Sequence, residues 1–147
     1  MAFYDDVHTT KRFRLGTRVK DVAGNEYIYL QGVASVVLGS WVVFDELFVT
    51  TRTVANSLGR AAIARAAVDA TTEFGWFGIY GSFTGLALVS SADNTKVWLT
   101  STAGQVDDAD VATDLVSGAI ARSARAAGTG LQTFELSYPV CLNEVYN

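Results

Sequence analysis

Cysteine, proline, histidine and methionine each occur once in these 147 residues, as Cys141, Pro139, His8 and Met1. A solitary cysteine excludes an internal disulfide and any cysteine-built zinc site, and its ordinary place is as a small buried hydrophobe. His8 stands in a polar stretch far from Cys141, so spacing makes no Cys-His nucleophile of the two, and an exposed imidazole is the plainer reading. Long apolar runs are missing too. The nearest to one, Trp76 to Val89, is 14 residues interrupted by Gly78, Gly81 and Gly85, where a spanning helix needs about 20. No membrane partner is expected. Residues 1–20 have no apolar core of a signal peptide, so the chain is expected to be made and assembled in a cytoplasm.

Familiar chemical motifs are equally scarce. No glycine-rich loop ends in Gly-Lys-Ser/Thr, and no GxGxxG follows a strand. Gly81-Ser82-Phe83-Thr84-Gly85 lacks the central serine of a nucleophile elbow. Asp107, Asp108, Asp110 and Asp114 form the one carboxylate cluster. Laid on the calcium-loop pattern from Asp108, the sixth position is Thr113 and the twelfth Ala119, where glycine and glutamate belong. A solvated acidic loop or helix start is the simpler reading. Trp41, Trp76 and Trp98 could line a sugar-binding surface, but each lies in an apolar run that favours core or interface packing. Neither an enzyme nor a cofactor is expected.

What is present is apolar. Hydrophobic residues make up 50% of the chain and charged ones 18%, so one domain of this length has excess apolar surface to cover, and self-association is the ordinary outlet. Net charge is −4, unevenly spread: residues 1–20 hold five basic and two acidic residues, or +3, leaving six basic and 13 acidic, or −7. An acidic body repels phosphates, so general nucleic-acid binding is not expected.

Residues 1–14 show neither a helical nor a two-residue apolar period and read as an extended N-terminal arm or a disordered tail. Read as an arm, Phe3, Tyr4 and Phe13 are its anchors and Lys11, Arg12 and Arg14 its charges. They are the candidate partner-binding residues, expected to dock on an acidic surface of a neighbouring subunit or partner and to order only on contact.

Residues 15–147 read as a single β-rich domain. Leu15 to Gln31 is a hairpin, with turn chemistry at Ala23-Gly24-Asn25 and strand formers at Tyr27 to Leu30. Trp41 to Phe44 suits a strand buried on both sides. Leu47 to Val54 is expected to leave the sheet as a loop. Arg60 to Gly81 folds back on itself through Asp69 to Gly75, and a shortened echo follows, since Ala62-Ile63-Ala64-Arg65 recurs as Ala119-Ile120-Ala121-Arg122 ahead of Gly130 to Tyr138. Trp76 to Tyr80, Leu86 to Ser90, Lys96 to Thr100 and Leu131 to Leu136 read as strands, the last closed by Pro139. Residues 108–127 are different. Acidic residues before them, Arg122 and Arg125 late in them and Gly128 after them give the order of a helix, with Gly118 against it at about 1 kcal/mol relative to alanine.

Leu15 to Leu30, the glycine-led run Gly39 to Phe44, the small-residue segment Gly59 to Ala67, Gly75-Trp76, Gly118 to Ala121 and the terminal strand before Pro139 together resemble the small decoration, or cement, proteins on the outside of tailed-bacteriophage heads. The pattern covers residues 15–139 and consists of glycines and strand spacing. The resemblance implies a mainly β domain, a small barrel, a β-tulip-like fold or a sandwich, in which both alanine-rich segments pair as strands. It further implies a homo-oligomer, trimer favoured, on the capsid surface of a virion, with the major capsid protein as partner. The alternative is a binding module, such as a carbohydrate-recognising or tail-associated β domain.

Overall fold

The computed structural model describes residues 3–144, and of Phe3 only the backbone. A 3-10 turn at Phe3–Asp5 leads into eleven strands: β1 (Val7–His8), β2 (Arg18–Lys20), β3 (Glu26–Gln31), β4 (Trp41–Phe44), β5 (Thr50–Arg52), β6 (Gly59–Ala64), β7 (Phe74–Leu86), β8 (Lys96–Leu99), β9 (Val106–Asp107), β10 (Leu115–Ala121) and β11 (Leu131–Cys141). There is no α-helix among the described residues. The strands form one open antiparallel sheet in the order β2-β3-β7-β6-β11-β10-β8-β9, with β1 added to β7 and with β4 added to β6 and carrying β5.

Two isolated bridges curl this sheet. Gln31 meets Val49, and Ala87 meets Val106. The first brings the end of β3 against the start of β5; the second brings β9 back beside the tail of β7.

Alternation then divides the interior in two. Tyr27, Tyr29, Trp41, Ala61, Ile63, Trp76 and Phe83 enter one buried cluster with Phe134 and Leu136. Their immediate neighbours Ile28, Leu30, Val42, Phe44, Ala62, Ala64, Phe77 and Ile79 enter the other, with Val36 and Val68. Because side chains point to opposite faces of a strand, β3, β4, β6 and the first half of β7 each serve both clusters. This explains why Ala61 to Ala64, good helix formers, stand in a strand. A strand between two aromatic-filled clusters has room for small side chains on both faces.

The two alanine-rich segments resolve as hairpins. In the first, Ile63 pairs with Gly78 and Ala64 with Phe77; in its echo, Ala119 pairs with Leu136, Ile120 with Glu135 and Ala121 with Phe134. The helix expected over 108–127 is absent. Val116, Ala119 and Ala121 are buried, whereas Gly118 at φ +83° takes a left-handed conformation that no helix interior accepts. The β10–β11 register shifts between Ser117 and Ala119, and a Cβ at Gly118 would lie 2.6 Å from the Ser137 carbonyl oxygen. Burial of alternate residues and a glycine-built bulge outweigh local helix propensity here.

Three other expectations are corrected. Thr50–Arg52 stays in the sheet, paired to β4 through Val42↔Arg52 and Phe44↔Thr50. Leu86 to Ser90 is not a strand of its own: Leu86 ends the strand that runs from Phe74 through Trp76 to Tyr80, and Val89 and Ser90 lie in a turn beyond it. Pro139 does not close β11, which continues to Cys141; it stands where β10 and β11 lose register, so no ladder donor is required of it.

Gly78 tests this packing. A Cβ there would lie 2.5 Å from the Phe83 ring, so Gly78→Ala should cost about 1–3 kcal/mol in urea denaturation. Substitution of Gly128, whose neighbourhood has nothing within 4 Å, should cost only its left-handed φ, about 1–2 kcal/mol.

Candidate functional site

The arm lies on its own sheet. Tyr4 stacks on Tyr27 with ring centroids 4.1 Å apart and planes 4° from parallel, and meets Trp76 edge-on at 6.2 Å. Asp5 receives Arg65 at 3.2 Å. Val7 and His8 pair with Gly75 and Phe74, which makes two arm residues a short strand. Phe13 packs against Tyr29 at 5.3 Å and Trp76 at 5.2 Å.

One buried hydroxyl joins both ends of the arm. The Arg12 backbone N–H donates to Tyr29 Oη at 3.2 Å, and His8 Nδ1 lies 2.8 Å from the same oxygen. Tyr29 is fully buried. The arm supplies the partners that its hydroxyl needs in a dry site.

Of the six candidate partner-binding residues, Tyr4 and Phe13 thus rest on the chain itself, and Lys11 sits 5.8 Å over the Phe74 ring. Arg12 and Arg14 are exposed. The Phe3 side chain lies outside the described residues. An arm ordering only on contact with a neighbour was expected; the seat described here is intramolecular, leaving Lys11, Arg12 and Arg14 facing outward.

A second cluster, which the sequence reading passed over, forms at the base of the first hairpin. Glu26 is buried, with Arg18 at 3.9 Å, Lys20 at 4.0 Å and the Tyr138 hydroxyl at 3.3 Å. Its legible signal was the register: the turn at Asp21 to Asn25 sets Lys20 opposite Glu26. Tyr138 adopts φ +51°, uncommon for a bulky residue, and its exposed ring lies 5.2 Å from that of Tyr80.

Titration follows burial and hydrogen bonding. The Tyr27 phenol, pushed up by burial and by its bond to Asp21 Oδ2 (2.8 Å), ionises at about 12. Burial of Asp21 works the other way on its carboxyl, but bonds from Tyr27, Asn25 and Ala23 prevail and hold it below the ordinary value. Cys141 is pushed up to about 12, first by burial and then by the charge of Asp114. Its thiol is thus a neutral core group, on a strand paired at that point with Gly59 and Val116, whereas His8 faces Phe74.

The carboxylate cluster tethers loops. Asp107 accepts the Ala109 N–H at 3.0 Å, Asp108 that of Ala92 at 3.0 Å and Asp114 that of Asn56 at 2.7 Å. No group of three or more metal-ligating side chains occurs among the described residues. All three tryptophans are buried, Trp98 the least at 8% exposure, so none offers a stacking platform.

A scan against protein-family models gives no match, and no curated protein matches the sequence.

Two outcomes follow. Removing residues 2–14 should lower the melting temperature, and Phe13→Ala should cost about 1–2 kcal/mol against a few tenths for Lys11→Ala, read by thermal and urea unfolding. Tyr27 and Cys141 both ionise at about 12 when folded, above their ordinary 10 and 9. The stability they confer is therefore complete below those ordinary values and is lost as pH rises towards 12. Denaturation midpoints should fall between pH 8 and 11, and Tyr27→Phe should narrow the difference.

Proposed function

We propose that this chain is a structural virion protein, a decoration (cement) protein that binds the outer surface of a tailed-bacteriophage capsid, with the major capsid protein as partner, and reinforces the shell as a homo-oligomer, trimer first. One observation carries the reading. The glycine and strand pattern behind the resemblance required Gly118 to Ala121 to pair as a strand, against the local signals for a helix, and that segment lies in β10 between β8 and β11. The same pattern's other members, the opening hairpin and the strands beginning near Gly39, Gly59 and Gly75, fall on β2 and β3, β4, β6 and β7.

The outward groups of the arm suit this role. Lys11, Arg12 and Arg14 sit on an arm already held by Tyr4 and Phe13, so docking on an acidic capsid surface would cost little ordering entropy, and the charges would set approach and register. No cofactor or nucleic acid enters the proposal.

Purified protein mixed with empty phage heads should co-sediment with them and leave a glycan array unlabelled. Glycan binding without head binding would transfer the chain to the carbohydrate-recognising class. In the head assay, reversing Arg12 and Arg14 to glutamate should weaken binding by about tenfold or more with the melting temperature unchanged.

A further inference from the structure

The strand at one end of the sheet has an open side. Among the described residues β2 pairs only with β3. Around it, Asp21 N–H donates to the Asn25 carbonyl and Tyr29 N–H to the Thr17 carbonyl, so residues 17, 19 and 21 turn their backbone groups towards β3. By alternation, Arg18 and Lys20 turn theirs outward. The opposite end of the sheet is covered, since Leu88 N–H donates to the Val106 carbonyl at 2.9 Å. The side edge at β5 is partly covered as well, with Gln31 N–H on the Phe48 carbonyl and Thr50 Oγ1 on the Gln31 carbonyl.

A bare edge recruits strands, and charged side chains on it decide which. Arg18 and Lys20 stand two residues apart with side chains 48% and 67% exposed. They reject a basic strand, make an apolar one costly, and accept one with carboxylates at the same two-residue spacing. This chain carries such a segment just beyond β9. Asp108 and Asp110 are acidic side chains two residues apart with Ala109 between them, Ala109 and Asp110 are exposed, and among the described residues Asp108 uses only Oδ2, on the Ala92 N–H.

We propose that β2 is a self-association edge, and that the segment Asp108 to Asp110 of a second copy adds to it as an antiparallel strand, setting Asp108 against Lys20, Ala109 against Val19 and Asp110 against Arg18. Directly opposed side chains share a face about 4.5–5.5 Å apart at Cβ, which places each carboxylate against one cation. The contact joins two different surfaces, so it is head-to-tail, and repetition closes a ring or extends a chain. This rests on the self-association in the functional reading and is independent of the capsid.

Two variants attack the two halves separately. Lys20→Pro removes an outward N–H and a cation while sparing the bonds to β3. Asp108→Asn with Asp110→Lys reverses the charge of the segment while keeping an acceptor for Ala92. In sedimentation velocity at tens of micromolar, with circular dichroism to verify the fold, wild type should associate. Each variant alone should be roughly 100-fold weaker. An equimolar mixture should recover dimers and nothing larger, because only one intact edge then meets one intact segment. A monomeric wild type, or a mixture that stays monomeric, would overturn the proposal. Wild-type association retained in both variants would sink the edge and leave self-association standing, and binding to phage heads is scored in a separate assay.

Discussion

Four strands bury both of their faces, and the rest of the structure depends on that constraint. In a sheet with one wet face, a slip of one residue exchanges core for solvent. In β3, β4, β6 and the first half of β7 it would exchange one core for the other, driving Tyr29 and Trp76 into space cut for Leu30 and Phe77. The cluster built on Tyr27, Tyr29, Trp41 and Trp76 and the one built on Ile28, Leu30, Phe44 and Phe77 differ too much in shape for that exchange. Register is therefore set by shape, strand by strand. The same double burial excludes large side chains at Ala61 to Ala64 and removes the Cβ altogether at Gly78, where the Phe83 ring crosses the strand.

The arm belongs to this arrangement. Tyr29 is buried with a hydroxyl that its own sheet leaves for others, and His8 and the Arg12 backbone reach it from the arm. A buried phenol without partners would cost roughly 1–3 kcal/mol. A basic stretch that charge counting alone presents as a free tail is thus tied to the domain, its cations outward. Tyr4 and Phe13 complete the cover over Tyr27 and Trp76, so anchors and charges divide between two tasks.

Much of the sheet was legible because alternation and glycine punctuation are local. The first hairpin, the doubly buried Trp41 to Phe44 and the return of Arg60 to Gly81 follow from residues close to one another in the chain. The alanine-rich segment at 115–121 was not, because its conformation is decided by β11, some 20 residues further on, and by the left-handed φ of Gly118, whereas the propensity of alanine points to a helix. Thr50 to Arg52 misled for a similar reason: an arginine and a following Asn-Ser look like a loop until β4 lies alongside. For the candidate site, composition marked the aromatics of the arm as anchors. It could not say that their seat was Trp76 and Tyr29 of the same chain, since no periodicity links residues 4 and 13 to residues 29 and 76.

The length of β7 has a mechanical consequence. Its 13 residues are bonded in succession to β1 at Phe74 and Gly75, to β3 from Phe74 to Tyr80, to β6 at Phe77 and Gly78 and to β11 from Tyr80 to Leu86. A pull along this strand loads those ladders in shear, so many hydrogen bonds must fail together, whereas a pull across an edge opens them one at a time. The arm is attached at the start of β7 and the last long strand at its far half. Tension entering through the arm therefore passes into the stiff direction of the sheet, and the weak direction is left to the short strands at its periphery.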